Sequence, residues 1–198
     1  MKTTITIVLL IASFSVFSQD IDSTFSKFDL NKYNSLNEIN VNHYFLEDST
    51  KITFAETDSI YQIIIFEHNS HYSLRLHYFK TTLTLKSRMQ LFQKSNKIGI
   101  YTEYNEKGGV LTEHNYDTIF TFTLQDLKKK MASEYKLNIM DVKQGVGVIL
   151  QTKFEKPSYK VYWPENNNPM GIWRWVFIDG LNGETLNEIR KAYECKAK

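Results

Sequence analysis

Residues 61–85, YQIIIFEHNSHYSLRLHYFKTTLTL, decide how this chain is read. Tyr61–Phe66 is a β-branched and aromatic run. His68-Asn69-Ser70 has turn chemistry. From His71 to Phe79 apolar and polar residues alternate, placing Tyr72, Leu74, Leu76 and Tyr78 on one face. Thr81–Leu85 alternates again through Leu83 and Leu85. A period of two marks half-buried strands, and short turns between such runs make an antiparallel meander. Ile52–Ala55 adds a short strand before it. Lys97–Tyr104 and Val110–Tyr116 flank Asn105-Glu106-Lys107-Gly108-Gly109, where glycine supplies the positive φ of a hairpin turn. Residues 19–50 are polar and Asn-rich with scattered apolar residues, and predict a loosely ordered leader with room for one short helix or strand.

Beyond Phe122 the period changes. Thr123 is placed to cap a helix, with Asp126 three residues on to complete a capping box. Leu124, Leu127, Met131 and Tyr135 then form one apolar stripe over about three helical turns. Lys128, Lys129 and Lys130 fall largely off the stripe and read as a solvated face. Three strands are predicted next: Gly147–Phe154, Tyr159–Trp163 and Ile172–Asp179. Gly180–Glu184 forms a turn, and Thr185–Tyr193 is either a short final strand or a helical tail. The expected fold class is α+β: an antiparallel β-meander, followed by a helix packed on a three-stranded antiparallel sheet.

The N-terminus carries Lys2 and an apolar run from Ile5 to Phe17, ending with Val16 and Ser18 at the −3 and −1 positions of a cleavage site. That run suits a signal peptide and is shorter than the roughly 20 residues of a membrane span. The expected organisation is therefore a signal peptide at 1–18, a β-rich region at 19–121 and an α+β domain at 122–198. The working protein is expected to be exported, periplasmic or extracellular, without a membrane span.

Composition narrows the function classes. Lys and Arg number 24 against 22 Asp and Glu, a net charge of +2. The longest basic run is three lysines, which lacks the clustered excess of a nucleic-acid footprint. Cys195 is the only cysteine, so the fold has no internal disulfide and depends on its core. The 12 Tyr, 13 Phe and 3 Trp favour strands and large buried areas. Only 3 Pro and 8 Gly argue against low complexity.

The order helix, strand, Tyr-initiated strand, strand ending in Asp-x-x-x-Gly-Glu resembles a PepSY domain. The residues that carry it are Leu127, Tyr159-Lys160-Val161, Trp175-Val176-Phe177-Ile178-Asp179 and Asn182-Gly183-Glu184-Thr185-Leu186. It covers about residues 122–186. The resemblance implies an inhibitory or regulatory module that binds a protein or peptide partner. Asp179, Asn182 and Gly183 themselves read as turn-makers. Asp179 is placed to accept backbone N–H groups, and Asn-Gly is a tight-turn dipeptide.

The nucleophile elbow, the zinc-protease motif, the phosphate loop and the Cys-x-x-Cys pair do not occur. His68, His71 and His77 are the nearest approach to a metal cluster. His71 and His77 share strand parity but stand about 20 Å apart on an extended chain. No catalytic, cofactor or metal residue is expected. The expected binding surface is aromatic: Tyr159, Tyr162, Trp163, Trp173, Arg174 and Trp175 on two adjacent strands. Packing against the helix is the alternative role for the same rings. A structural subunit of the envelope and a metal-assisted hydrolase are the rival functions.

Overall fold

The computed structural model describes residues 25–152, 156–165 and 170–192. The expected signal peptide and Cys195 lie outside them. Two antiparallel sheets dominate. The first has seven strands in sequence order: β1 (His43–Phe45), β2 (Lys51–Glu56), β3 (Ile60–Phe66), β4 (Tyr72–Phe79), β5 (Leu85–Phe92), β6 (Asn96–Tyr104) and β7 (Val110–Asn115). The second has four, also in sequence order: β8 (Gly147–Gln151), β9 (Ser158–Pro164), β10 (Ile172–Asp179) and β11 (Thr185–Ala192). Two α-helices are described, α1 (Leu30–Glu38) and α2 (Leu124–Glu134).

The expected fold class therefore needs correction. The chain is mostly β, and α2 lies against a four-stranded sheet rather than a three-stranded one. The missing strand is β11. Seven of its eight residues are exposed, so it has no buried face to impose alternation on its sequence. Backbone pairing with β10 from Ile172↔Ala192 to Ile178↔Thr185 makes it a strand. The meander is also longer than expected. β5 continues through Lys86–Phe92, where Lys86, Arg88 and Gln90 alternate with buried Ser87, Met89 and Leu91, a period-two signal that the sequence analysis did not use. The leader supplies both a helix and a strand: Asp29 caps α1 by accepting the Lys32 N–H at 2.9 Å, and β1 pairs with β2.

α2 begins at the capping box. Thr123 Oγ1 accepts the Asp126 N–H, and the Asp126 carboxylate accepts the Thr123 N–H, both at 3.2 Å. Leu127 and Met131 are fully buried, in one cluster with Val148, Tyr159, Val161, Trp163, Val176 and Ile178. That cluster also takes in Phe92 and Ile98 from the first sheet, so residues on both sides of position 121 share a core. A second cluster, around Phe28, Ile63, Ile65, Leu76 and Tyr78, lies beneath α1. Phe28 stacks on Tyr61 with ring centroids 4.3 Å apart.

The sheets are stitched by side-chain amides. β8 pairs with β9 on one edge only. On its other edge Asn96 Nδ2 donates to Val148 O at 2.7 Å and Asn96 Oδ1 accepts the Leu150 N–H at 2.9 Å. Gln93 Nε2 donates to Val146 O at 2.9 Å, and Gln93 Oε1 accepts the Val148 N–H at 2.5 Å. A sheet edge turned inward would otherwise bury unmade backbone bonds. Two amides from the β5–β6 hairpin do what another strand would.

Candidate functional site

Strand parity divides the aromatic residues of β9 and β10. Successive side chains of a strand point to opposite faces. Tyr159, Val161 and Trp163 share the face turned to α2 with their partners Arg174, Val176 and Ile178. Tyr159 is 1% exposed, and its hydroxyl donates to Phe122 O at 2.8 Å. Burial pushes that phenol's pKa up. Trp163 meets Tyr135 edge-on at 5.7 Å. The Arg174 guanidinium lies 5.4 Å above the Trp163 ring and pairs with Glu188 at 3.3 Å. The expected six-residue surface is therefore not one surface. Tyr159 and Trp163 are core, and Arg174 belongs to a rim network that also joins Arg190 to Glu165 at 2.6 Å.

Tyr162, Trp173 and Trp175 come together on the other face. Tyr162 stacks on Trp175, with centroids 4.7 Å apart and planes 25° from parallel, and Trp173 lies 5.9 Å from Tyr162. Trp175, Trp173 and Phe177 are half-buried. Lys160 lies 4.3 Å above the Trp175 ring and 5.6 Å from that of Phe177. Ile149 and Ile189, on the flanking strands, are 37% and 39% exposed. The Tyr162 ring lies flat across Gly147, its cross-strand partner: a Cβ there would stand 2.0 Å from Cζ. Glycine within a strand marks a close approach, so Gly147 is a signal from which this contact could be read, one the sequence analysis did not use.

The charge of this face is one-signed. Among the described positions of the four strands with this parity, Lys160 and Lys191 are charged and exposed carboxylates are absent. Asp179 shares the parity but is 3% exposed, with its carboxylate accepting the Leu181 N–H at 2.7 Å. It closes a turn in which Asn182 Oδ1 accepts the Glu184 N–H and Gly183 takes a φ of +77°. A side chain at Gly183 would also strike the Phe122 ring.

The three imidazoles do not converge. His68 sits in the β3–β4 turn beside Asn69 at 2.8 Å. His77 spans Gln62 and Ser87, one ring nitrogen 3.1 Å from each. Burial, with Arg75 and Lys86 nearby, lowers its pKa. His71 lies elsewhere, where β4 meets the second sheet. Among the described residues no group of three or more His, Cys, Asp or Glu could hold a metal ion. A larger cleft of about 550 Å³ opens between β6 and the start of α2, lined by Tyr72, Ile98, Leu124, Lys128 and Leu150. Its one carboxylate, Asp117, accepts the Gly99 N–H at 2.9 Å. No helix among the described residues is long and apolar enough to cross a membrane.

Comparisons of the chain with family models, with curated proteins and with solved structures return no match.

Proposed function

We propose that this is an exported, non-enzymatic binding protein that holds an extended, acidic-apolar polypeptide on the open aromatic face of its four-stranded sheet. The carrying observation is the Tyr162–Trp175 stack with Trp173 beside it, on the face away from α2. Trp and Tyr are among the side chains that dominate contact energy between proteins. The occupant's charge follows from Lys160 and Lys191, which leave an acidic partner complementary and a basic one repelled. The regulatory role implied by the PepSY resemblance enters this reading only as a polypeptide partner.

A fluorescent peptide of alternating Glu and Leu tests it, with a Lys–Leu peptide as the control. The Glu–Leu peptide is expected to bind, and Trp175→Ala to weaken it by at least ~10-fold with the fold retained. Equal binding of the two peptides, or an unchanged affinity in the variant, overturns the proposal.

A structural role in the envelope is the second reading, favoured by β7. All six of its residues are exposed, with Val110 and Leu111 at 57% and 63%. Such an edge is a template for pairing with another chain. Crosslinking that captures β7 in an assembly, rather than the aromatic face, would favour it.

A further inference from the structure

α2 carries three lysines in a row, and the structure separates them. Lys129 pairs with Asp126 at 3.8 Å and Lys130 with Glu134 at 2.8 Å. Lys128 is half-buried and has no ion-pair partner among the described residues. It stands on the wall of the cleft of about 550 Å³ between β6 and the start of α2. Ile98, Phe120 and Tyr159 line that cleft from the core, and Leu124, Met140 and Leu150 are half-buried around them.

The cleft's carboxylate is held in place by the backbone. Asp117 lies in the short helical turn Tyr116–Ile119, exposed, and its Oδ1 accepts the Gly99 N–H at 2.9 Å. Gly99 has a φ of +63°, a conformation that other side chains resist, and this turns its amide to Asp117. Burial first, and the Asp117 charge next, push the Tyr159 phenol's pKa up, so the carboxylate is felt at the inner wall. Asp117 has no ion-pair partner among the described residues, and it does not reach Lys128. The nearby Lys97 is engaged elsewhere, donating to the Tyr116 hydroxyl at 3.1 Å. One unpaired charge of each sign therefore borders the same apolar cleft.

Small-molecule sites are commonly clefts of about 300–1,000 Å³, mostly apolar, with a few placed polar groups. The charges select the ligand. An anion would meet Lys128 but face the Asp117 carboxylate, and a cation would meet the reverse. An uncharged molecule would strip water from both charges and return nothing. A molecule with an apolar body and both signs satisfies each wall. We propose that this cleft binds an apolar zwitterion, an α-amino acid with a hydrophobic side chain: its carboxylate at Lys128, its ammonium at Asp117 and its side chain against Ile98 and Leu124. This site is separate from the polypeptide surface, because it opens on the α2 side of the second sheet and Trp175 is on the other.

Phenylalanine, the anion N-acetylphenylalanine and the cation phenylalaninamide are the probes, sharing one side chain. They are titrated against the intact chain labelled with ¹³C-methyl methionine, with the Met140 resonance assigned by Met140→Leu. Phenylalanine is expected to shift the Met140 methyl saturably, with a Kd in the millimolar range that suits so small a ligand. Both singly charged probes are expected to bind at least ~5-fold more weakly. Lys128→Met is expected to remove the advantage of phenylalanine over phenylalaninamide. Asp117→Asn keeps the acceptor for Gly99 and is expected to remove the advantage over N-acetylphenylalanine. Trp175→Ala is expected to leave every response unchanged. An unmoved Met140 methyl with phenylalanine overturns the proposal, and so does an equal response to the three probes in the unaltered chain. A preference for either singly charged probe also overturns it. Loss of all binding in both charge variants, without the two opposite changes in ranking, means a merely structural role for these residues and overturns it as well.

Discussion

Tyr159, Tyr162 and Trp163 are near neighbours in sequence with opposite roles, and parity on β9 separates them. Trp163 is 7% exposed in the core under α2, so Trp163→Ala is expected to cost about 3–5 kcal/mol. Trp175 packs on a half-open face, and its truncation forfeits about 0.5–1.5 kcal/mol of ring pairing along with part of its buried area. Urea unfolding of the two variants checks the order, and a Trp175→Ala cost equal to that of Trp163→Ala would place both rings in the core. His71 and His77 set a pH dependence. Burial holds both folded pKa values below the ordinary value of 6.5. The unfolded chain therefore takes up more protons once the pH drops below about 6.5, and stability falls from there downward. Unfolding free energies at pH 7.5 and 5.5 read this slope. The double variant His71→Phe, His77→Gln is expected to flatten it.

Among the elements, the edge of β8 is the most exacting. Asn96 is 5% exposed and makes two backbone hydrogen bonds to that strand. Asn96→Ala strands the Leu150 N–H and the Val148 carbonyl, each loss costing about 1–3 kcal/mol. Asn96→Asp keeps the acceptor for Leu150 but sets a carboxylate against the Val148 carbonyl, and is expected to be no milder. Hydrogen exchange at Leu150 measures the effect at its source: the amide, bonded to Asn96 Oδ1, is expected to be protected in the native protein and to exchange faster in Asn96→Ala. An unchanged Leu150 rate would mean that the amide bridge does not hold the strand. At the other edge β11 makes its backbone pairing with β10 alone, and its Arg190 and Lys191 are the kind of charges that keep an exposed edge from pairing with other chains.

Over the whole molecule, the cluster that joins Phe92 and Ile98 to Leu127, Met131 and Val176 makes the two sheets interdependent. A single cooperative unfolding transition is expected, because neither sheet closes that core alone. The three tryptophans all belong to the second sheet, whereas far-UV circular dichroism reports both sheets. Coincident midpoints by fluorescence and circular dichroism check the expectation, and separated midpoints would mean two independent units.

Local chemistry was legible where short-range forces act. The β3–β4 alternation, the Thr123 capping box and the Asp179–Gly183 turn each depend on residues within a few positions of one another, so the sequence alone determined them. What it did not carry was partnership at a distance. β11 has no hydrophobic pattern because it buries almost nothing, and its state is set by backbone bonds to β10. Whether Trp163 or Trp175 faces solvent depends on which side of the sheet α2 covers. The pairing of Gly147 with Tyr162 and the amide bridge from Gln93 and Asn96 to β8 join segments far apart in the chain. Only tertiary structure decides such contacts, because hydrogen bonding and burial act through space, while alternation and capping signals act along the chain.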